Sequence, residues 1–231
     1  MQCLILAGGL GTRMKGVAGN TAKTLIPVCG RPFADHQLTW LAGEGVTHVV
    51  YAIGHLGEQI RDFVEGGGHW GLDISYSNEG EAGFGTGGAV RLALDRAGLD
   101  GGFLVMYGDS YLTLDVQALW AASDDGALPV MSVFRNNGRW DASNAAYENG
   151  MVTCYEKGRS DESLGFIDYG ISVLNGDIIR ELVPAAPSDL ADVYHRLAET
   201  GRLRGFEASE RLYEIGSPQG LADLEAFLTS A

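Results

Sequence analysis

Short apolar runs alternate with amphipathic stretches along the first 135 residues. Residues 2–7 form a continuous apolar run that ends in glycines. Residues 47–53, 73–77, 103–107 and 129–134 are similar short runs, rich in Val, Ile and aromatics. Runs this apolar predict strands buried on both faces, as in a parallel sheet. Between them lie helical stripes. Leu56, Ile60, Phe63 and Val64 recur at helical spacing, as do Val90, Ala93, Leu94 and Ala97, and then Val116, Leu119 and Trp120. Strand and helix in alternation predict an open α/β sheet with right-handed crossovers.

The texture changes after about residue 135. Residues 144–147 and 151–156 flank Asn149-Gly150, a hairpin turn signal. Residues 166–174 read as a further strand. Ser188 is placed to cap a helix carrying Leu190, Val193, Tyr194 and Leu197. Residues 204–208 and 211–215 read as a strand pair. Ser217-Pro218 reads as an N-cap followed by proline in the first turn, opening a final helix with Leu221, Leu224, Phe227 and Leu228 on one face. The expected whole is an α/β fold, a three-layer α/β/α sandwich on a Rossmann-like mixed, mostly parallel sheet. No Pro/Ser-rich linker interrupts it, so residues 1–231 read as one domain. Its two halves, 1–135 and 136–231, would divide near residue 135.

Composition narrows the partners. A formal charge of −14 argues against nucleic acid or an anionic membrane. It leaves room for small phosphorylated ligands, which need only a few local cations. No apolar run approaches the roughly 18 residues of a membrane span. The opening residues lack a basic segment and run at once into glycines, unlike a signal peptide. Cys3, Cys29 and Cys154 are odd in number and widely spaced. They fit a reducing compartment, so a cytoplasmic location is expected. Trp40, Trp70 and Trp120 suit either the core or an interface in a homo-oligomer.

The candidate chemistry begins at Leu6-Ala7-Gly8-Gly9-Leu10-Gly11-Thr12-Arg13-Met14, with Lys23 following. A glycine loop after a buried first strand presents backbone N–H groups at the carboxyl end of the sheet, where open α/β sheets bind ligands. Such amides cradle a phosphate or lie against a base. Arg13 offers a forked phosphate donor and Lys23 a compact charge. No segment matches the P-loop pattern. Gly83-Phe84-Gly85-Thr86-Gly87-Gly88 does match the dinucleotide fingerprint, but on a later strand; a loop against a base or sugar is the other reading.

Asp109, in Tyr107-Gly108-Asp109-Ser110, is an acid at the end of a buried strand. A carboxylate there suits Mg²⁺ held against a triphosphate. Glu214, in Tyr213-Glu214-Ile215-Gly216, is the candidate second anchor. Asn144, the pair Glu156-Lys157, and Asp168-Tyr169 could line a sugar. Arg135, Arg139 and Trp140 lie on a candidate lid. The five histidines are scattered, which argues against a Ser-His-Asp or Cys-His enzyme.

The first motif, followed by Lys23-Thr24-Leu25-Ile26-Pro27-Val28-Cys29-Gly30-Arg31-Pro32, closely resembles the signature of sugar-1-phosphate nucleotidyltransferases. The resemblance continues through residues 85–88, Gly108-Asp109, Tyr155-Glu156-Lys157 and Glu214-Ile215-Gly216-Ser217-Pro218. It implies an enzyme that joins an NTP to a sugar 1-phosphate with Mg²⁺. Leu6, Ala7, Gly8, Gly9, Gly11, Thr12, Arg13, Glu79, Gly85, Thr86, Gly87 and Asp109 would meet the nucleotide. Arg13, Lys23 and Asp109 would serve catalysis, and Asp109 and Glu214 the metal. Asn144, Glu156, Lys157, Asp168 and Tyr169 would face the sugar phosphate. Two positions depart from the pattern: Ala22-Lys23-Thr24 replaces the usual Pro-Lys-Pro, and Glu214 replaces the usual Asp. The length leaves no room for an appended left-handed β-helix acyltransferase domain. Residues 107–111, 135–144 and 167–170 look most like the D-glycero-D-manno-heptose 1-phosphate guanylyltransferase branch. The muramic-acid 1-phosphate uridylyltransferase branch comes next.

Overall fold

The computed structural model describes residues 1–9, 14, 16, 19–80, 83–136, 138–140, 142–158 and 164–230. Its strands are β1 (Gln2–Leu6), β2 (Pro27–Val28), β3 (Arg31–Pro32), β4 (His48–Ile53), β5 (Asp73–Asn78), β6 (Gly102–Tyr107) and β7 (Ser110–Tyr111). They continue with β8 (Val130–Arg135), β9 (Ala145–Glu148), β10 (Met151–Tyr155), β11 (Phe166–Asn175), β12 (Arg204–Ala208) and β13 (Tyr213–Glu214). The helices are α1 (Phe33–Gly43), α2 (Gly57–Val64), α3 (Gly85–Arg96), α4 (Val116–Ala122), α5 (Gly176–Leu182), α6 (Leu190–Glu199) and α7 (Pro218–Ser230).

Nine strands form one mixed sheet in the order β5-β4-β1-β6-β11-β8-β12-β10-β9. Only β10 and β11 run against the others. Alternation along the strands sends neighbouring side chains to opposite faces. Leu4, Val50 and Val105 pack with α3, α5 and α6. Cys3, Ile5, Tyr51 and Met106 pack with α1, α2 and α4. Both faces are therefore buried, which is why these strands read as unbroken apolar runs. A third cluster, around Met14, Ile26, Phe33, Ile215 and Leu224, docks α7.

Register places the functional edge. Leu6 pairs with both Ala52 and Tyr107, so the segments after β1, β4 and β6 leave the sheet together. β11 enters from that same edge, because it runs antiparallel to β6 with Ile171 opposite Met106.

Two local details differ from the sequence reading. The cap of α6 is Asp189, whose carboxylate accepts from Ala191 N–H at 3.0 Å; Ser188 lies one residue earlier. Residues 204–208 and 211–215 do not pair with each other. β12 pairs in parallel with β8, and β13 pairs with β7. Helix α1 buries the polar Gln37 among Phe33, Ala34, Leu38 and Leu41. The 149–150 hairpin is as expected: Asn149 and Gly150 have φ of +52° and +81°, the double left-handed geometry of a type I′ turn.

Candidate active site

Two cavities open along the functional edge, and Asp109 lines both. The first, about 420 Å³, is walled by Leu6, Ala7, Gly8, Gly9, Lys23, Glu79, Gly85, Thr86 and Asp109. The second, about 580 Å³, is walled by Asn144, Asp168 and Glu214, together with Trp140, Arg211, Gln219 and Asp223.

Six glycines line the first cavity. Gly108 N–H donates to Leu6 C=O at 2.9 Å, and Ala7 N–H donates to Ala52 C=O at 2.9 Å, locking the loop bases to the sheet. Glu79 closes one side: its carboxylate accepts from Phe84 N–H at 3.1 Å and lies against Gly8, where a β-carbon would collide with it. Burial pushes its pKa above the usual carboxylate range, and the Phe84 hydrogen bond only partly opposes this.

The fingerprint loop is occupied by the protein itself. Gly87 and Gly88 N–H donate to Ser188 C=O at 2.9 and 3.3 Å. Gly85, at φ +68°, has Ser188 C=O where a β-carbon would stand. The amides that would hold a dinucleotide pyrophosphate at this helix start are thus already satisfied, which counts against that reading. Gly85 and Thr86 reach the cavity. Gly87 faces Ser188 and Asp189 and is not among its lining residues.

Where the cavities meet, three charged side chains converge. Lys23 forms an ion pair with Asp109. The β7–β13 pairing sets Glu214 opposite Ser110, and Ile215 N–H donates to Asp109 C=O at 2.9 Å. Glu214 accepts from Gly216 N–H and from the Ser217 hydroxyl, the latter at 2.6 Å. A β-carbon on Gly216 would fall 2.9 Å from Lys23 Nζ and 3.3 Å from Asp109 Oδ2, and would also strike Glu214. Glycine keeps this space open. The donors are carboxylate oxygens alone. Among the described residues, no group of three or more His, Cys, Asp or Glu could hold an ion unaided. One or two carboxylates completed by substrate phosphates is the set Mg²⁺ favours, so these residues fit that ion.

The second cavity is built from side chains. Asn144 Oδ1 accepts from Asp168 N–H at 2.9 Å, and the Asp168 carboxylate accepts from Gly170 N–H at 2.9 Å. Enclosure by protein pushes the Asp168 pKa up to about 6, against opposing hydrogen bonds from Gly170 and Tyr155 and the charge of Lys157. Arg211 lies 4.0 Å from the Trp140 ring centre and 4.6 Å from that of Tyr213, and bonds Asp223 at 3.0 Å.

Not every expected residue reaches a cavity. Tyr169 alternates away from Asp168 into the core, its hydroxyl 3.1 Å from Thr113 Oγ1. Lys157 pairs with Asp189 at 3.0 Å, and neither it nor Glu156 lines either cavity. Gly11, Thr12 and Arg13 lie outside the described residues. Conversely, Arg211, Gln219 and Asp223 line the second cavity without having been singled out by sequence. Their one signal is position, on either side of the Glu214–Pro218 motif.

Comparison with known proteins identifies the family. Residues 3–212 match the MobA-like NTP transferase domain. The chain is 27% identical over 181 residues to the D-glycero-alpha-D-manno-heptose 1-phosphate guanylyltransferase of Campylobacter jejuni, covering 78% of this chain and 79% of that one. It is 36% identical over 118 residues to the N-acetylmuramate alpha-1-phosphate uridylyltransferase of Neisseria meningitidis, a match spanning 51% of each chain. The solved structure of HddC from Yersinia pseudotuberculosis complexed with GMP-PN superposes with a TM-score of 0.80 at 25% identity, covering 98% of this chain and 99% of that one. With its edge-on glycine loops, its shared aspartate and a family match over residues 3–212, the chain belongs to the MobA-like NTP transferase family of nucleotidyltransferases.

Proposed function

We propose that the protein transfers a nucleoside monophosphate from an NTP to a sugar 1-phosphate, releasing pyrophosphate and forming a nucleoside-diphosphate sugar. The observation that carries this reading is Asp109 lining two cavities at once, one glycine-rich and one polar. The NTP would occupy the first, with Gly8, Gly9, Gly85 and Glu79 around its nucleoside. The sugar would occupy the second, its hydroxyls facing Asn144 and Asp168. The fold reads as a three-layer α/β/α sandwich forming a single unit, its first part holding the nucleotide and its second the sugar. A cytoplasmic setting is proposed with it.

The acceptor phosphate oxygen is already anionic, so the chain has no proton to remove before attack. That oxygen bonds to the α-phosphorus, and the bond from the α-phosphorus to the pyrophosphate oxygen breaks. The protein's part is to align the two phosphates and offset their charge. Lys23 stands at the junction as a compact cation, and Arg13 is proposed to join it. Asp109 and Glu214 would hold Mg²⁺ there. The ion would neutralise phosphate charge and polarise the phosphorus centre.

The test is pyrophosphate release with Mg²⁺ across ATP, GTP, CTP, UTP and dTTP, each paired with a panel of sugar 1-phosphates. GTP with D-glycero-D-manno-heptose 1-phosphate is the pair expected to react, given the Campylobacter relative. UTP with N-acetylmuramate 1-phosphate is the alternative, given the Neisseria one. Silence across the panel despite NTP binding would overturn the acceptor class. Silence without NTP binding would overturn the reading of the first cavity.

A further inference from the structure

We propose that Gln37 is a positioning residue: its buried side-chain amide fixes the turn that carries Asp109, and so sets the metal-binding geometry. The inference rests on the proposed role of Asp109 as a metal ligand.

Gln37 lies on α1 and is fully buried. Its Nε2 donates to the backbone carbonyl of Tyr107 at 3.1 Å and to that of Ser110 at 3.0 Å. Those carbonyls bracket Gly108-Asp109, the two residues between β6 and β7. A primary amide puts two hydrogens on one nitrogen, splayed to reach two acceptors. One side chain thereby ties together both ends of the turn. The amide orientation is determined, because a flip would set Oε1 against two carbonyl oxygens.

The arrangement has a cost. Gln37 Oε1 is buried with no hydrogen-bond partner among the described residues. An orphaned buried acceptor is unfavourable, and such groups in a folded protein call for an explanation. Grip on the Asp109 turn supplies one.

The same stretch of chain holds the turn from its other side. Phe33 N–H, at the start of α1, donates to Ile26 C=O at 3.0 Å, which ties the helix to the Lys23–Leu25 turn. Lys23 meets Asp109 at its carboxylate, while Gln37 meets the backbone on either side of it. Lys23 and Gln37 thus hold the turn at both its carboxylate and its backbone.

The experiment measures Mn²⁺ affinity by electron paramagnetic resonance, with a non-hydrolysable NTP analogue present, alongside kcat and thermal melting. Gln37→Met keeps the length and loses both donors. Gln37→Glu keeps the shape and, protonated in its buried site, returns one of them. Removing a group that orients a metal ligand weakens metal binding about 10- to 100-fold, so Gln37→Met should lose at least tenfold in Mn²⁺ affinity, with kcat falling alongside. Gln37→Glu should fall between Gln37→Met and wild type. A role in packing alone would lower the melting temperature and leave Mn²⁺ affinity within twofold, which would overturn the proposal. Should Gln37→Met fail to fold, Gln37→Glu decides by the same criterion. Asp109→Asn, measured in parallel, separates the two failures. If it leaves Mn²⁺ affinity unchanged, the metal role of Asp109 is wrong. If it abolishes binding while the Gln37 variants stay within twofold of wild type, only the positioning role is wrong.

Discussion

The two cavities that share Asp109 are made of different material. The first is walled by glycines and backbone, much of it within residues 6–9 and 83–89. The second is walled by side chains drawn from five separated segments, near residues 109, 134–144, 167–168, 211–214 and 217–223. Backbone recognises what every NTP shares, a triphosphate and a flat base, and it requires glycine so that the ligand can approach. Side chains recognise what differs between acceptors, the pattern of hydroxyls. A family can therefore keep the first wall and change the second.

The largest effect tests the point where the cavities join. Asp109→Asn should lower turnover by about a hundred- to a thousandfold, as removal of a preorganised charge at a reacting phosphate does. Circular dichroism should show the fold intact. Near wild-type rates would remove Asp109 from the metal site.

Gly9→Ala tests the backbone wall alone. Among the described residues, nothing lies within 4 Å of a β-carbon placed at Gly9, so the melting temperature should not move. Steady-state kinetics should show kcat/KM for the NTP reduced about tenfold, because the nucleotide is held out of line. Unchanged kinetics would mean that the ligand does not approach Gly9.

Trp140→Ala tests the side-chain wall. Trp140 is 51% exposed and lies face to face with Arg211. Loss of an aromatic face of this kind costs about 1 kcal/mol, so the acceptor KM should rise about fivefold. The NTP KM should stay constant. A parallel rise in both would blur the division between the cavities.

The smallest effect concerns pH. Asp168 is pushed up to about 6 by enclosure, so its ionised form weighs against the fold. The native state is favoured while the group is protonated, and that advantage is lost as pH rises through 6. Asp168→Asn should therefore raise the melting temperature by about 2–4 °C at pH 8, with the gain vanishing towards pH 4. A gain independent of pH would assign the effect to something other than ionisation.

How much was legible follows the same division. Residues 6–9, Lys23, Gly85 and Asp109 stand out because loop chemistry is local: a strand end, a glycine and a charge adjoin in sequence. Asn144, Asp168 and Glu214 stand out by their place at strand ends, and they do meet at the second cavity. Tyr169 shows the limit of that logic. It adjoins Asp168, yet strand alternation sends it to the core. Lys157 is likewise drawn to Asp189, a partner 32 residues away. Arg211 and Asp223 carry only the signal of flanking the Glu214–Pro218 motif, because a lone arginine, or an acid on a final helix, is common on any surface.

The sequence by itself determined the alternation of strand and helix, the glycine loops and the order of charged motifs. These depend on periodicity and on neighbours within a few residues. Only the tertiary structure decided that β13 pairs with β7, setting Glu214 beside Asp109. It also turned Gln37 of α1 onto the two carbonyls that frame the Asp109 turn. Such pairings join residues some 70 to 100 positions apart. Long-range hydrogen bonds of this kind depend on where the whole sheet brings the chain, and local composition does not record them.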